Sequence, residues 1–222
     1  MLTRRLNKKL SHTSPSQKGL GLIDVMVAVF ILSVGLLAIA ALQLITKQSN
    51  YEAIQRSHAS TLAYDLLERM RLNSGFVSST TAVASVTPLQ FYVEENGTRT
   101  MSYDTPLPTT PDCTATPCTD YATLAAWDLV QWQRSLRGEL ETNDAGNVGG
   151  LVQPIACLTG PGPGAAGTYS GRYRLAIAWR GQTKLTSQLS QNDCGIKSGF
   201  YGANDEFRRI LVVESYLAPS RF

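Results

Sequence analysis

Leu20 to Ile45 reads LGLIDVMVAVFILSVGLLAIAALQLI, a run whose only charged residue is Asp24 and whose other strongly polar residue is Gln43. A helix crosses the hydrocarbon core of a bilayer with about 20 consecutive apolar residues, so this stretch is long enough to span one. The plainer alternative is a buried core helix, but a run this long with no amphipathic face suits one poorly. Helical character continues beyond Ile45. The segment YEAIQRSHASTLAYDLLERMRLNSG, Tyr51 to Gly75, places Ile54, Leu62, Leu66 and Met70 at helical spacing, and no proline interrupts Leu20 to Ser74. Glu52 with Arg56 and Asp65 with Arg69 stand four residues apart, which predicts ion pairs on the exposed side. Asn73-Ser74-Gly75 supplies the stop. One helix of this length spans roughly 80 Å, half in lipid and half on a globular head.

Charge is distributed to match. Of the 222 residues 43% are hydrophobic and 17% charged, which suits one domain of ordinary size plus an appendage. The net charge of +3 comes from the first nineteen residues, where Arg4, Arg5, Lys8, Lys9 and Lys18 stand without an acidic residue. Without those five, 15 Lys and Arg face 17 Asp and Glu, and the body carries about −2. A basic body seeking nucleic acid is therefore not indicated. A cationic flank ahead of a membrane span stays in the cytoplasm, so everything after Ile45 is expected on the far side.

The cysteines agree with that topology. Cys113, Cys118, Cys157 and Cys194 all lie downstream of the apolar run. An even number in an exported domain predicts two disulfides, with three connectivities open. Local closure of Cys113 with Cys118 would leave Cys157 for Cys194. Zinc is the competing reading, but a C-x4-C pair with two distant single cysteines and no nearby histidine is poor zinc spacing.

An ordinary secretory signal is cut after its apolar region, at a small-residue site. Ala38-Ile39-Ala40 offers one, so a secreted binding protein or enzyme released after Ala40 is the competing class. Against it, the helical pattern runs on past Ala40, and Asp24 is a carboxylate that a disposable signal has no reason to carry. An ionisable group inside a membrane segment is a functional hypothesis by default, because burying it costs about 2.5–3.5 kcal/mol.

Lys18-Gly19-Leu20-Gly21-Leu22-Ile23-Asp24-Val25-Met26-Val27-Ala28 resembles the type III signal of type IV prepilins. In that family a basic leader ends in glycine, a hydrophobic residue begins the mature chain, and an acidic residue follows at the fifth mature position. The resemblance implies cleavage between Gly19 and Leu20 by a prepilin peptidase, N-methylation of Leu20, and a subunit-assembly role for Asp24. Cutting ahead of the apolar run leaves the membrane helix on the mature protein and creates an α-ammonium at its end. A carboxylate one turn along can offset that ammonium on a neighbouring subunit, so each charge loses its penalty on assembly. The plainer role for Asp24 is an acid at a helix N-terminus, worth about 0.3–1 kcal/mol. Leu20 replaces the family's usual phenylalanine and Asp24 its usual glutamate. Ala41 stands where major pilins carry a helix proline, which fits a minor subunit better.

The head has its own signals. Leu89, Phe91 and Val93 alternate with Gln90 and Tyr92, then Asn96-Gly97 and Thr100–Tyr103 predict a β-hairpin with its return strand. A Pro/Thr stretch from Thr105 to Thr119 holds the first cysteine pair. Asp120 caps a helix with Leu129, Trp132, Leu136 and Leu140 on one face, ending at Asn143-Asp144-Ala145-Gly146. Strands are predicted over Val152–Leu158, Tyr169–Trp179 and Phe207–Leu217. In the middle one Tyr173, Leu175, Ile177 and Trp179 alternate with Arg172 and Arg174. The fold class is α+β, one long N-terminal helix on an antiparallel sheet, which is also the pilin fold. Leu62–Asn73, Trp127–Leu140, Tyr173–Trp179 and Arg208–Glu214 resemble the corresponding segments of PilV-type minor pilins.

Nothing here assembles an active site. Gly162-Pro163-Gly164-Ala165-Ala166-Gly167 matches a dinucleotide fingerprint in form, but a strand follows it where a helix is needed. Asn96-Gly97-Thr98 matches a glycosylation acceptor and reads more simply as a turn. His12 lies in the leader, leaving His58 alone on the long helix. Trp127, Trp132 and Trp179 are expected to fill the core. The expected organisation is a leader (1–19), a transmembrane assembly helix (20–46) and a periplasmic head (47–222) whose helix continues to about residue 74. The expected function is that of a type IV minor pilin with no catalysis, cofactor or metal. Its expected partners are other minor and major pilins, the prepilin peptidase, the inner membrane and its assembly platform and motor. A type II secretion pseudopilin shares the leader and helix, although the comparable small pseudopilin has a shorter head.

Overall fold

The structure is a computed structural model that describes residues 19, 21–74, 88–144, 146–162, 169–185 and 192–218. Leu20, the leader residues 1–18, Gly75 and most of the Gly162–Gly167 motif lie outside the described residues. Two compact units divide the chain, Met1–Lys47 and Gln48–Phe222. Helix α1, Leu22–Leu72, is continuous through both. It runs without a break through Ala38-Ile39-Ala40, as a stretch with no proline and only Gly35 as a weak helix former should.

The second unit is an α+β domain. After α1 come a 3-10 turn (Pro88–Phe91), β1 (Thr98–Ser102), α2 (Tyr121–Arg137), the two-residue strands β2 (Thr142–Asn143) and β3 (Gly146–Asn147), β4 (Ile155–Thr159), β5 (Gly171–Arg180) and β6 (Arg208–Leu217). The main sheet has the order β1-β4-β5-β6, antiparallel throughout. Ala59, Leu62, Ala63, Leu66, Leu67 and Met70 of α1 bury themselves at intervals of three and four residues. With Leu129, Trp132 and Leu136 of α2 they pack on Tyr173, Leu175, Ile177 and Trp179 of β5 in one core. The Trp132 indole donates to the Leu62 carbonyl at 2.7 Å, so its polar edge is satisfied inside that core.

The opposite face of the sheet is covered as well. Ala176 and Ala178 of β5 lie there with Ile155, Cys194 and Tyr201. Small residues are needed because the loop before β6 comes close: a Cβ on Gly195 would sit 3.2 Å from that of Ala178. Cys157–Cys194 ties this loop to β4, and Cys113–Cys118 closes the Pro/Thr stretch.

Several expectations need correction. Leu89–Val93 is not a strand. Pro88 opens a 3-10 turn, and Tyr92, which strand alternation would turn outward, is fully buried because its hydroxyl finds Asp128 and Asn73. The strand β1 pairs with β4 instead, Thr98 opposite Thr159 through Ser102 opposite Ile155. Asn96-Gly97 still turns the chain: Gly97 has φ +76°, and a Cβ there would meet the Gly160 carbonyl oxygen at 2.8 Å. Helix α2 ends at Gly138, left-handed at φ 73°, ahead of Asn143–Gly146, and Leu140 is exposed. Ile54 is exposed and Trp127 half-buried. Glu52 does not pair with Arg56; it reaches across to Arg209 on β6 at 3.0 Å.

Candidate functional site

The N-terminal part of α1 is where sequence and geometry depart most from a soluble protein. Every residue from Gly21 to Lys47 is exposed, including Leu22 at 79% and Leu37 at 71%. A soluble helix hides one face in a core, and this one hides none. By length and composition the helix can cross a membrane. Its hydroxyls are satisfied within the helix: Ser33 donates to the Phe30 carbonyl at 2.7 Å and Thr46 to that of Leu42 at 2.8 Å. That is how a polar side chain avoids an unmet hydrogen bond where water is absent.

Asp24 stands in the first turn of α1. Its amide donates to the Gly21 carbonyl at 2.9 Å, and the Gly21 amide donates back to Asp24 Oδ2 at 3.3 Å. An acid three residues into a helix that reaches back to the capping amide makes half of a capping box. The carboxylate thereby holds one orphan N–H and faces the positive end of the helix dipole. Oδ2 is the oxygen that makes this bond. Gly19 lies just ahead and is exposed.

The head contributes clamps that sequence reasoning missed. The Glu52 carboxylate accepts two bonds from Arg209, each 3.0 Å, and one from the Gln182 amide at 2.8 Å, joining α1 to β6 and to the loop after β5. A cleft of about 350 Å³ lies beside this pair, lined also by Ala53, Arg56, Trp179 and Ile210. At the other end of α1, Tyr92 donates to Asp128 at 2.7 Å and accepts from Asn73 at 3.0 Å, while Arg69 bridges Asp65 at 3.0 Å and Asp128 at 3.4 Å. The sequence signal was Asp128 itself, a carboxylate between Trp127 and Leu129 on the apolar side of α2, which needs a partner once buried.

His58 is half-buried on α1. Among the described residues no group of three His, Cys, Asp or Glu is placed to hold a metal ion. The four cysteines are consumed in the two disulfides. No family model, curated protein or solved structure matches the chain.

Proposed function

We propose that this chain is a minor pilin of a type IV pilus. It is made as a prepilin, cut between Gly19 and Leu20 by the prepilin peptidase and N-methylated at Leu20. The mature chain sits in the inner membrane by a single pass, with its head in the periplasm. It then packs helix to helix with other minor and major pilins in the filament or its priming complex at the tip. It catalyses nothing.

One observation carries this reading: an apolar helix exposed on every side holds a single carboxylate in its first turn and continues without a break into a folded head. A simple anchor needs the apolar helix but not the carboxylate. A disposable signal needs neither the carboxylate nor continuity into the head. In a stack of such helices the apolar surface is covered by neighbours, and Asp24 meets the α-ammonium of an adjacent subunit, which removes the cost of keeping either charge in hydrocarbon.

The test is assembly. Filaments sheared from cells should contain the wild-type chain, and Asp24→Ala should stay in the membrane fraction with its head folded. An Asp24→Ala chain that enters filaments at the wild-type level contradicts the role of the carboxylate. A wild-type chain absent from both filaments and the inner membrane contradicts the reading as a whole.

A further inference from the structure

Trp179 on β5 and Arg209 on β6 stand directly opposite each other in the sheet. Both line the cleft of about 350 Å³ beside Glu52, Ala53 and Arg56 of α1, a volume in the range of small-ligand sites. Trp179 is only 2% exposed, yet its indole N–H has no hydrogen-bond partner among the described residues, and neither has Arg209 Nη1. A buried donor without an acceptor is costly. Two such donors on neighbouring strands, both at one cleft, point to an acceptor that the described residues of the head do not supply.

The one carboxylate in the cleft is already engaged. Glu52 Oε1 accepts from Arg209 Nη2 and from the amides of Gln182 and Thr183, and Oε2 accepts from Arg209 Nε. Gly181 makes room for this clamp: a Cβ there would sit 2.6 Å from Arg209 Cζ and 2.8 Å from Glu52 Oε1. Glu52 therefore offsets Arg209 and fixes its guanidinium. Arg56 is exposed and makes no ion pair or hydrogen bond among the described residues. Two guanidiniums against one carboxylate leave the cleft with a single positive charge in excess. Ala53 and Ile210 give it an apolar wall. The cleft thus offers N–H donors, one net positive charge and a small apolar surface.

We propose that this cleft binds a carboxylate carried on a short apolar stem. The Trp179 indole and Arg209 Nη1 donate to its oxygens, Arg56 supplies the counter-charge, and the stem lies against Ala53 and Ile210. Charge-assisted N–H bonds to a carboxylate are short and strong, and a guanidinium held in one plane matches a planar carboxylate. A phosphodiester bears the same charge, but tetrahedrally and with two ester arms in place of one stem. A free short-chain acid and a glutamate side chain of a bound peptide share the required chemistry. The site stands on the geometry of the head alone, so its failure leaves the pilin reading untouched.

The full chain in a neutral detergent, labelled with nitrogen-15 at its indoles, gives three indole resonances, from Trp127, Trp132 and Trp179. Sodium butyrate should move that of Trp179 downfield and saturate at about 1–10 mM. Trp132, whose indole already donates to the Leu62 carbonyl, should stay in place. Butyramide and sodium chloride at the same concentrations should leave Trp179 unmoved. Arg56→Gln, a change at an exposed position, should weaken butyrate about tenfold and keep the other two resonances where they are. Tighter binding of acetyl-Gly-Glu-Gly-amide than of butyrate assigns the site to a protein side chain, and the reverse order to a free acid. A Trp179 resonance that does not move, or moves as much with butyramide or chloride, overturns the site. A stronger response to dimethyl phosphate than to butyrate overturns the carboxylate, and wild-type affinity in Arg56→Gln overturns the part given to Arg56.

Discussion

Tyr92 is the residue on which α1, α2 and the 3-10 turn converge. Its hydroxyl lies between Asp128 and Asn73 with no exposed surface. A hydrogen bond to a charged group is worth about 1.5–3 kcal/mol, so Tyr92→Phe should destabilise the head by that amount in urea, and a loss below a few tenths would show the network to be ornamental. Burial, reinforced by the Asp128 charge, raises the Tyr92 hydroxyl far above its ordinary 10.0. Burial likewise raises Tyr173 and Tyr201. A raised acid group is protonated in the folded state when the unfolded chain has already lost its proton. Its stabilisation is complete below pH 10 and drains away as pH climbs from there towards the folded values. Unfolding midpoints should therefore be insensitive to these tyrosines below pH 10 and fall steadily above it, less steeply in Tyr92→Phe. The network was hard to read in sequence because its members are scattered over Asp65 to Asp128. The Asp65–Arg69 pair was legible because its spacing is local, whereas the Glu52–Arg209 pair bridges 157 positions.

At the scale of elements, the legible parts were those with long periods or strong stop signals. Helix α1, the capped start of α2 and the alternation in β5 follow from spacing alone. Asp120→Ala should cost about 1 kcal/mol through the lost cap, read as a shift in the urea midpoint. Short elements were misread for a physical reason. Over five residues, Leu89–Val93 fits alternation and a 3-10 turn equally well, and the buried hydroxyl of Tyr92 decides between them. Helix α2 stops early because Gly138 takes the left-handed conformation its Schellman-type cap needs, a stop signal that the later Asn143–Gly146 cluster obscured. The two disulfides divide unequally. Separations of 37 and 5 residues correspond to about 4 and about 2 kcal/mol of unfolded-chain entropy. Cys157→Ala/Cys194→Ala should thus lower the midpoint clearly more than Cys113→Ala/Cys118→Ala. The reverse order would mean that the Pro/Thr loop, and not the cover over β4 and β5, is what the crosslinks stabilise.

For the whole molecule, the buried residues of α1 begin at Gln55, inside the second unit. A fragment Gln48–Phe222 should be soluble without detergent and unfold in one cooperative transition, whereas the full chain should require detergent. A fragment that aggregates or unfolds gradually would make the apolar half of α1 a structural part of the head. On the function proposed here, the apolar half of α1 is retained on the mature protein, starts at Leu20 and sets Asp24 one turn from a new α-ammonium. Intact mass and N-terminal sequence of the chain purified from its own membranes test this directly. The expected chain begins at Leu20 and is heavier by one methyl group. A chain that begins at Ala41, or one that is uncut, would contradict it.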